Sequence, residues 1–220
     1  MIETKNYDDK CKLLSWPKKL ESLSGIETIN IAKGGVSNQE ISHRLIVEYN
    51  NTLKSFKPQE ILIICMLTNP DRIGFPQHSE YYGGKYEYQS FILTQLANIK
   101  PDSMKNIVSG VIQSYNDYDL LWNSFISVNS VIDYINYNQS KIILIDSCLW
   151  TNALRRITMD STVKDFINHQ IPVSLVFADV IRDMIDPYRL PNHHYSELAH
   201  TLFASTLYRT IKNTGIDIHG

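Results

Sequence analysis

Short apolar runs alternate with longer amphipathic stretches along the chain, a pattern typical of an α/β domain. Three of these runs predict strands, at Ile26–Ala32, Glu60–Leu67 and Lys141–Asp146. The first alternates apolar and polar residues with period two, whereas the other two are continuously apolar, as in strands buried on both faces. Helical connections between them predict parallel strands in a doubly wound, three-layer α/β/α sandwich.

Apolar residues at helical spacing fill most of the stretches between these strands. Ser37 and Glu40 stand three residues apart, as in the capping box that begins a helix, and Pro58 follows the apolar stripe. The stretch Arg72–Tyr88, rich in Gly, Pro and Tyr, predicts a long loop, and the polar segment 1–14 is expected to be disordered. The predicted helical stretches are Ser37–Phe56, Asp102–Asn138, Asp160–His169 and Ser196–Lys212, with a linker toward Pro191 before the last of them.

Composition narrows the function classes. The chain has 220 residues, 43% apolar and 20% charged, which suits one domain over 1–220 with a sizeable core. Its 21 basic and 23 acidic residues give a net charge of -2, which argues against a basic surface for nucleic acid or anionic membrane. No apolar run reaches the roughly 18 residues of a membrane-spanning helix. The polar start shows no secretory signal, so a cytoplasmic location is expected.

Cysteine and histidine placement carries no metal signature. Cys11, Cys65 and Cys148 are widely spaced and form no CxxC pair, so we expect reduced thiols and neither a metal nor another cofactor. Cys65 and Cys148 lie in or beside apolar runs and are predicted to be buried. His193 and His194 are adjacent, but no ligand set accompanies them at a recognised spacing.

Two polar turns are the first candidates for chemistry. Gly34 and Gly35 form a turn from a strand into a helix, where bare backbone N–H groups can hold an anion or a developing oxyanion. The alternative is that they only supply positive φ. Asn69 and Arg72 follow the second predicted strand, at the sheet edge where α/β proteins bind ligands. Asn69 can donate to an oxyanion and Arg72 can meet a carboxylate or phosphate, or both belong to an ordinary Asn-Pro turn.

Two further segments lie near the predicted strand and helix ends. His194, or His193, precedes the last helix and can act as a general base because imidazole titrates near neutral pH. His200 lies on that helix and is interpreted as structural. Asp146 and Ser147 form a second polar pair after the third predicted strand.

Taken in order, these segments resemble the blocks of the SGNH (GDSL-type) hydrolase family. The resemblance implies a mainly parallel, flavodoxin-like sheet and hydrolysis of an acyl or acetyl ester, carbohydrate esters included, by a nucleophilic Ser with a His base. The third block, usually Gly-x-Asn-Asp, here lacks the Gly and has Pro70 at the fourth place. The matching segments are Ser15–Leu20 with Asn30–Asn38, Leu67–Asn69, and Asn192–His194 with Glu197–His200.

The family also implies roles for individual residues. Gly35 (or Gly34) and Asn69 would bind the oxyanion. His194 would be the base, with His193 as the alternative because the spacing fits either. Arg72 stands beside these residues as a candidate substrate contact.

Two features of the family are absent from the sequence. The first block, a strand ending in Gly-Asp-Ser, has no counterpart before Trp16, so the nucleophile and the first strand are missing. We expect the chain to be truncated at its start or inactive as it stands; the alternative is a rearranged or dimer-completed fold without activity. Asn192 or Pro191 takes the place of the fifth-block Asp, and Asn cannot stabilise a charged imidazole as a carboxylate does. Whether Asp186 reaches back to the base stays open.

Other functions compete with a hydrolase. A non-catalytic binding or assembly module on the same scaffold is favoured by the missing Ser and Asp. A nucleotide-binding domain shares the Gly turn but lacks GxGxxG. Ser37 as a substitute nucleophile is disfavoured, because a capping serine is committed to its helix. The expected partner is a small-molecule or carbohydrate ester, with no nucleic acid or membrane, and oligomerisation is left open.

Overall fold

The computed structural model describes residues 15–32, 36–79, 85–92, 105–106, 109–110, 113–114, 116–147, 149–181 and 196–213. The helices are α1 (Trp16–Ser24), α2 (Asn38–Thr52), α3 (Asp117–Tyr137), α4 (Leu149–Arg156), α5 (Ser161–Gln170), α6 (Phe177–Val180) and α7 (Glu197–Asn213). The strands are β1 (Leu62–Leu67), β2 (Arg72–Ser79), β3 (Lys85–Ile92), β4 (Lys141–Asp146) and β5 (Val173–Val176).

A three-stranded parallel sheet has the order β1–β4–β5. β1 and β4 run in register, from Leu62 opposite Lys141 to Leu67 opposite Asp146. The two continuously apolar runs are parallel strands, as predicted, and they are also direct neighbours, which was not predicted. The α/β class is confirmed. Both strands end at the same edge, so the residues that follow Leu67 and Asp146 share one end of the sheet.

The chain divides into two compact units, residues 31–174 and residues 1–30 with 175–220. In the first, α3 packs against α2 and β4. Leu121 and Ile135 of α3 are fully buried in a core that also contains Leu67 of β1. The core faces of α2 and α3 follow from their apolar spacing, as the sequence predicts.

In the second unit α7 packs against α1 and α6. The fully buried ring of Phe203 lies 5.6 Å from the ring of Trp16 and 4.4 Å from that of Phe177, centroid to centroid. Ser196 caps α7 by accepting the Ala199 N–H at 3.3 Å. The predicted last helix is confirmed.

The strand predicted at Ile26–Ala32 is wrong. α1 ends at Gly25, which has a left-handed φ of 71°, and the residues from there to Ala32 form no strand. Thr28 donates its backbone N–H (3.0 Å) and its hydroxyl (2.8 Å) to Glu21 Oε2 instead of to a sheet. Ile29 is 58% exposed, so the alternation is real but has no neighbouring strand against which to bury its apolar side.

The loop predicted over Arg72–Tyr88 is wrong for residues 72–79 and 85–88, whereas residues 80–84 lie outside the described residues. β2 and β3 form an antiparallel hairpin in which Arg72 pairs with Ile92 and Ser79 with Lys85. Tyr and Phe favour strands, and this preference outweighs the Gly and Pro residues that suggested a loop. The segment predicted as a linker toward Pro191 contains β5 and α6. The helices α1 and α4 were not predicted either. All four elements are too short for the repeat of their apolar residues to be recognised in the sequence.

Replacing Leu121 with Ala is expected to lower the free energy of unfolding by about 3 kcal/mol, because it empties a fully buried site. Ile126, on the same helix but 48% exposed, is the matched control, and Ile126→Ala should cost less than about 1 kcal/mol. Urea unfolding followed by circular dichroism measures both. Equal losses in the two variants would contradict the packing of α3 described above.

Candidate functional site

One side chain joins the start of α2 to the end of β1. Asn38 is fully buried; its Oδ1 accepts the Thr68 backbone N–H at 2.9 Å and its Nδ2 donates to the Thr68 carbonyl at 3.0 Å. Thr68 is the first residue beyond β1 and no longer has a ladder partner for these groups, so the amide takes the place of a neighbouring strand. The bond pair fixes two loops at one sheet edge.

The helix that carries Asn38 begins as predicted. Ser37 is the N-cap of α2, and its Oγ accepts the Glu40 N–H at 3.1 Å. Ser37 is fully buried, and a buried hydroxyl used as a cap is a poor nucleophile, which argues against Ser37 as the substitute nucleophile. One turn further along, Arg44 Nη2 donates to the Ile31 carbonyl at 2.8 Å, so the segment leading into the Gly-rich turn is tied to the same helix.

Asn69 lies in a tight turn after β1. Its Oδ1 accepts the Asp71 N–H at 3.5 Å, and its carbonyl accepts the Arg72 N–H at 3.1 Å. Asn69 is half-buried, and its Nδ2 donates to none of the described residues. The turn therefore holds the Asn69 amide with its oxygen used and its two N–H groups available.

Arg72 makes a second link between the two loops. Its Nη1 donates to the carbonyl of Val36 at 3.5 Å, just before the N-cap of α2. No carboxylate among the described residues lies within 4.0 Å of the guanidinium. Arg72 thus supports the turn while most of its N–H donors are uncommitted.

Asp71 is the unusual ionisable group of this edge. Its Oδ1 is buried and accepts no hydrogen bond from the described residues. Burial raises the pKa of the Asp71 carboxyl, the nearby cations Arg72 and Arg156 oppose that shift, and Asp117 adds to it. The protonated form of Asp71 is therefore favoured in the folded chain relative to the unfolded chain.

The second polar pair has a structural use. Asp146 is fully buried, and its two carboxylate oxygens accept the N–H groups of Trp150 (3.0 Å) and Thr151 (2.8 Å), which caps α4. Ser147 Oγ donates a long 3.4 Å bond to the Leu67 carbonyl. Both oxygens of Asp146 thus serve to hold the start of α4, whereas the Ser147 hydroxyl lies beside the end of β1.

The structure describes only part of the predicted site. Asn69 and Arg72 lie in one turn, as their sequence proximity requires. The other predicted site residues lie outside the described residues: Gly34, Gly35, His193 and His194, as do Pro191, Asn192 and Asp186.

Asn38 was not predicted as a site residue. Its partner is 30 positions away, so no local pattern identifies it. Of the cysteines, Cys65 is buried as predicted, and burial raises the pKa of its thiol to about 12, which makes it unreactive. Cys11 and Cys148 lie outside the described residues.

Comparison of the chain with protein-family models, curated proteins and solved structures gives no match. Within the part of the chain that is described, no group of three or more His, Cys, Asp or Glu side chains is arranged to hold a metal ion. The helices of that part are also too short or too polar to cross a bilayer. The candidate site therefore rests on the geometry of the turns at the end of β1.

Replacing Asn38 with Ala is expected to lower the free energy of unfolding by about 3 kcal/mol, because both backbone groups of Thr68 lose their partner in a buried position. Asn51→Ala, at an exposed position of the same helix, should cost less than about 0.5 kcal/mol. Urea unfolding of both variants is the measurement. A loss in Asn38→Ala no larger than in Asn51→Ala would show that the link does not stabilise the fold.

The raised pKa of Asp71 predicts a pH dependence of stability. The folded chain binds more protons than the unfolded chain between the ordinary and the raised pKa, so this group's contribution to stability falls as pH rises through that window. Asp71→Asn removes the fall, so the variant should gain stability relative to the wild type as pH rises. Urea unfolding across the acidic pH range, with NMR titration of the carboxyl, measures this.

Asp160 supplies the control of opposite sign. Its hydrogen bonds from Thr162 lower the pKa of the carboxyl, so its contribution is present above the ordinary pKa and is lost as pH falls through the lowered one. Asp160→Asn should therefore lose stability relative to the wild type as pH rises. The same trend in both variants would contradict the assigned causes.

Proposed function

We propose that the chain is built on the scaffold of an SGNH-type hydrolase of acyl or acetyl esters, carbohydrate esters included, with a three-layer α/β/α sandwich. The chain lacks the Gly-Asp-Ser nucleophile of that family, so it is either inactive or uses a serine at another position. The observation that carries the proposal is the Asn69 amide. It is held by its own oxygen in a turn at the carboxyl end of a parallel strand, and its Nδ2 donates to no described residue. This is the kind of donor that an oxyanion site requires.

The proposed chemistry assigns one task to each group. Attack on an ester carbonyl turns its oxygen into an oxyanion, and Asn69 Nδ2 with the Gly35 N–H donates to it. Because the Asn38–Thr68 link and the turn fix Asn69 in advance, little reorganisation is needed as charge develops. His194, or His193, takes the proton of a serine hydroxyl as that oxygen bonds to the carbonyl carbon, and gives it to the alcohol when the ester C–O bond breaks. Water then hydrolyses the acyl-serine through the same two steps. Arg72 binds a polar group of the substrate.

A non-catalytic binding module is the second candidate, and a specific observation favours it. The Ser37 hydroxyl is buried and used as a helix cap, and the sequence contains no Gly-Asp-Ser. In this alternative the same Asn69 donor binds a carboxylate or an ester carbonyl without hydrolysis. Both candidates use one site, so one pair of experiments separates them.

A fluorophosphonate probe tests the hydrolase, because it labels a serine that a neighbouring base activates. Labelling of one serine of the 220-residue chain, located by mass spectrometry and lost in His194→Ala, would support an active hydrolase and would identify its nucleophile. Asn69→Ala should label about 100-fold more slowly, since it lacks one oxyanion donor. The controls are His169→Ala and Asn51→Ala, at exposed positions. Absence of an adduct, or labelling that neither Asn69 nor His194 affects, would contradict the hydrolase.

Acetate titration followed by NMR tests the binding module. A saturable shift of the Asn69 side-chain amide, without any fluorophosphonate adduct, would support binding without catalysis. The near-isosteric Asn69→Asp should abolish acetate binding, because it replaces the donor with an anion, whereas Asn51→Asp should not. No adduct and no acetate binding would refute both candidates.

A further inference from the structure

A second concave site lies in the unit formed by residues 31–174. It is a depression of about 640 Å³, bounded by α4, α5 and the start of β5. That volume falls within the roughly 300–1,000 Å³ of small-molecule sites. Its residues are different from those of the Asn38–Asn69 site, and neither the predicted chemistry nor the proposed function uses them.

The floor of the depression is apolar. Trp150 and Leu154, one turn apart on α4, are 1% and 7% exposed, and Ile171 after α5 is 1% exposed. Helical spacing explains this arrangement, since residues four apart lie on the same face. These packed side chains leave little surface for a ligand, so the apolar surface open to one comes from Pro172, which is exposed, and Val173, which is half-buried.

The rim carries two positive charges. Arg155 of α4 and Lys164 of α5 both line the depression, together with the amide of Asn168 one turn beyond Lys164. No described carboxylate forms an ion pair with either cation. None of the described lining residues is acidic, and Asp146, just before α4, already accepts two backbone N–H groups. Two unpaired like charges around one cavity are complementary to an anion.

We propose that this depression binds a small amphipathic carboxylate. The carboxylate lies between Arg155 and Lys164, and the apolar body lies on Pro172 and Val173, above the packed floor. Charge-assisted hydrogen bonds to the two cations supply selectivity for the anion, while burial of the apolar body supplies much of the affinity. This inference does not depend on the proposed ester hydrolysis.

Octanoate is the test ligand, and octanamide is its uncharged, nearly isosteric control. NMR titration follows the indole N–H of Trp150, which lines the site, with those of Trp16 and Trp122 as references. We expect octanoate to shift the Trp150 signal saturably and octanamide to bind at least about tenfold more weakly. Added salt should weaken octanoate binding, because it screens the exposed cations.

Variants assign the effect to the two cations. Arg155→Gln and Lys164→Gln should each weaken octanoate binding about fivefold to tenfold and leave octanamide binding unchanged. Lys54→Gln, which removes the same charge from an exposed position after α2, should change neither. Equal binding of octanoate and octanamide, equal binding by wild type and the rim variants, or unsaturable shifts of all three indoles would each overturn the proposal.

Discussion

The Asn38–Thr68 hydrogen-bond pair is the constraint on which the candidate site depends. A parallel strand that ends at a sheet edge leaves its next backbone groups without ladder partners, and in a buried position those groups must be satisfied. Here one amide satisfies both Thr68 groups, at 2.9 and 3.0 Å. As a result, the start of α2 and the turn beginning at Asn69 are held together before any ligand binds.

At the same sheet edge, some polar side chains stabilise the fold and others keep hydrogen-bond donors that a ligand could use. Asp146 and Ser37 are residue types that often act in catalysis, yet here both are fully buried and used as helix caps. Asn69 and Arg72 follow the neighbouring strand and keep N–H donors that no described residue uses. A helix cap must lie within a few residues of the first helical turn, so the polar residues nearest each helix start are used as caps. Polar residues farther from a helix start, such as Asn69 and Arg72, are not used in this way.

Sequence patterns predicted the parts of the fold that local physics decides. The apolar runs of β1 and β4, the Ser37 cap and the inward face of α3 each depend on periodicity or on a neighbour within four residues. Ile26–Ala32 failed because alternation indicates a strand only where a partner exists, and Glu21 holds Thr28 instead. Among the candidate-site residues, Asn69 and Arg72 could be proposed from the sequence because they follow a predicted strand, whereas the role of Asn38 depends on a contact 30 residues away.

The uncommitted groups of the two candidate sites are mostly donors. Asn69 Nδ2, the Arg72 guanidinium, Arg155 and Lys164 have hydrogen-bonding or ionic capacity to spare, although the whole chain carries a net charge of -2. A few local donors on a chain of overall negative charge suit small ligands that present one or two oxygen acceptors. Polyanions, by contrast, need a broadly basic surface, which this chain lacks. Asp71 is the exception, an acceptor with a buried and unpartnered oxygen. The charge of the Asn69–Arg72 turn therefore depends on pH, because Asp71 gains or loses its negative charge beside Arg72 and Arg156. In its ionised form Asp71 would repel an anion bound at this turn.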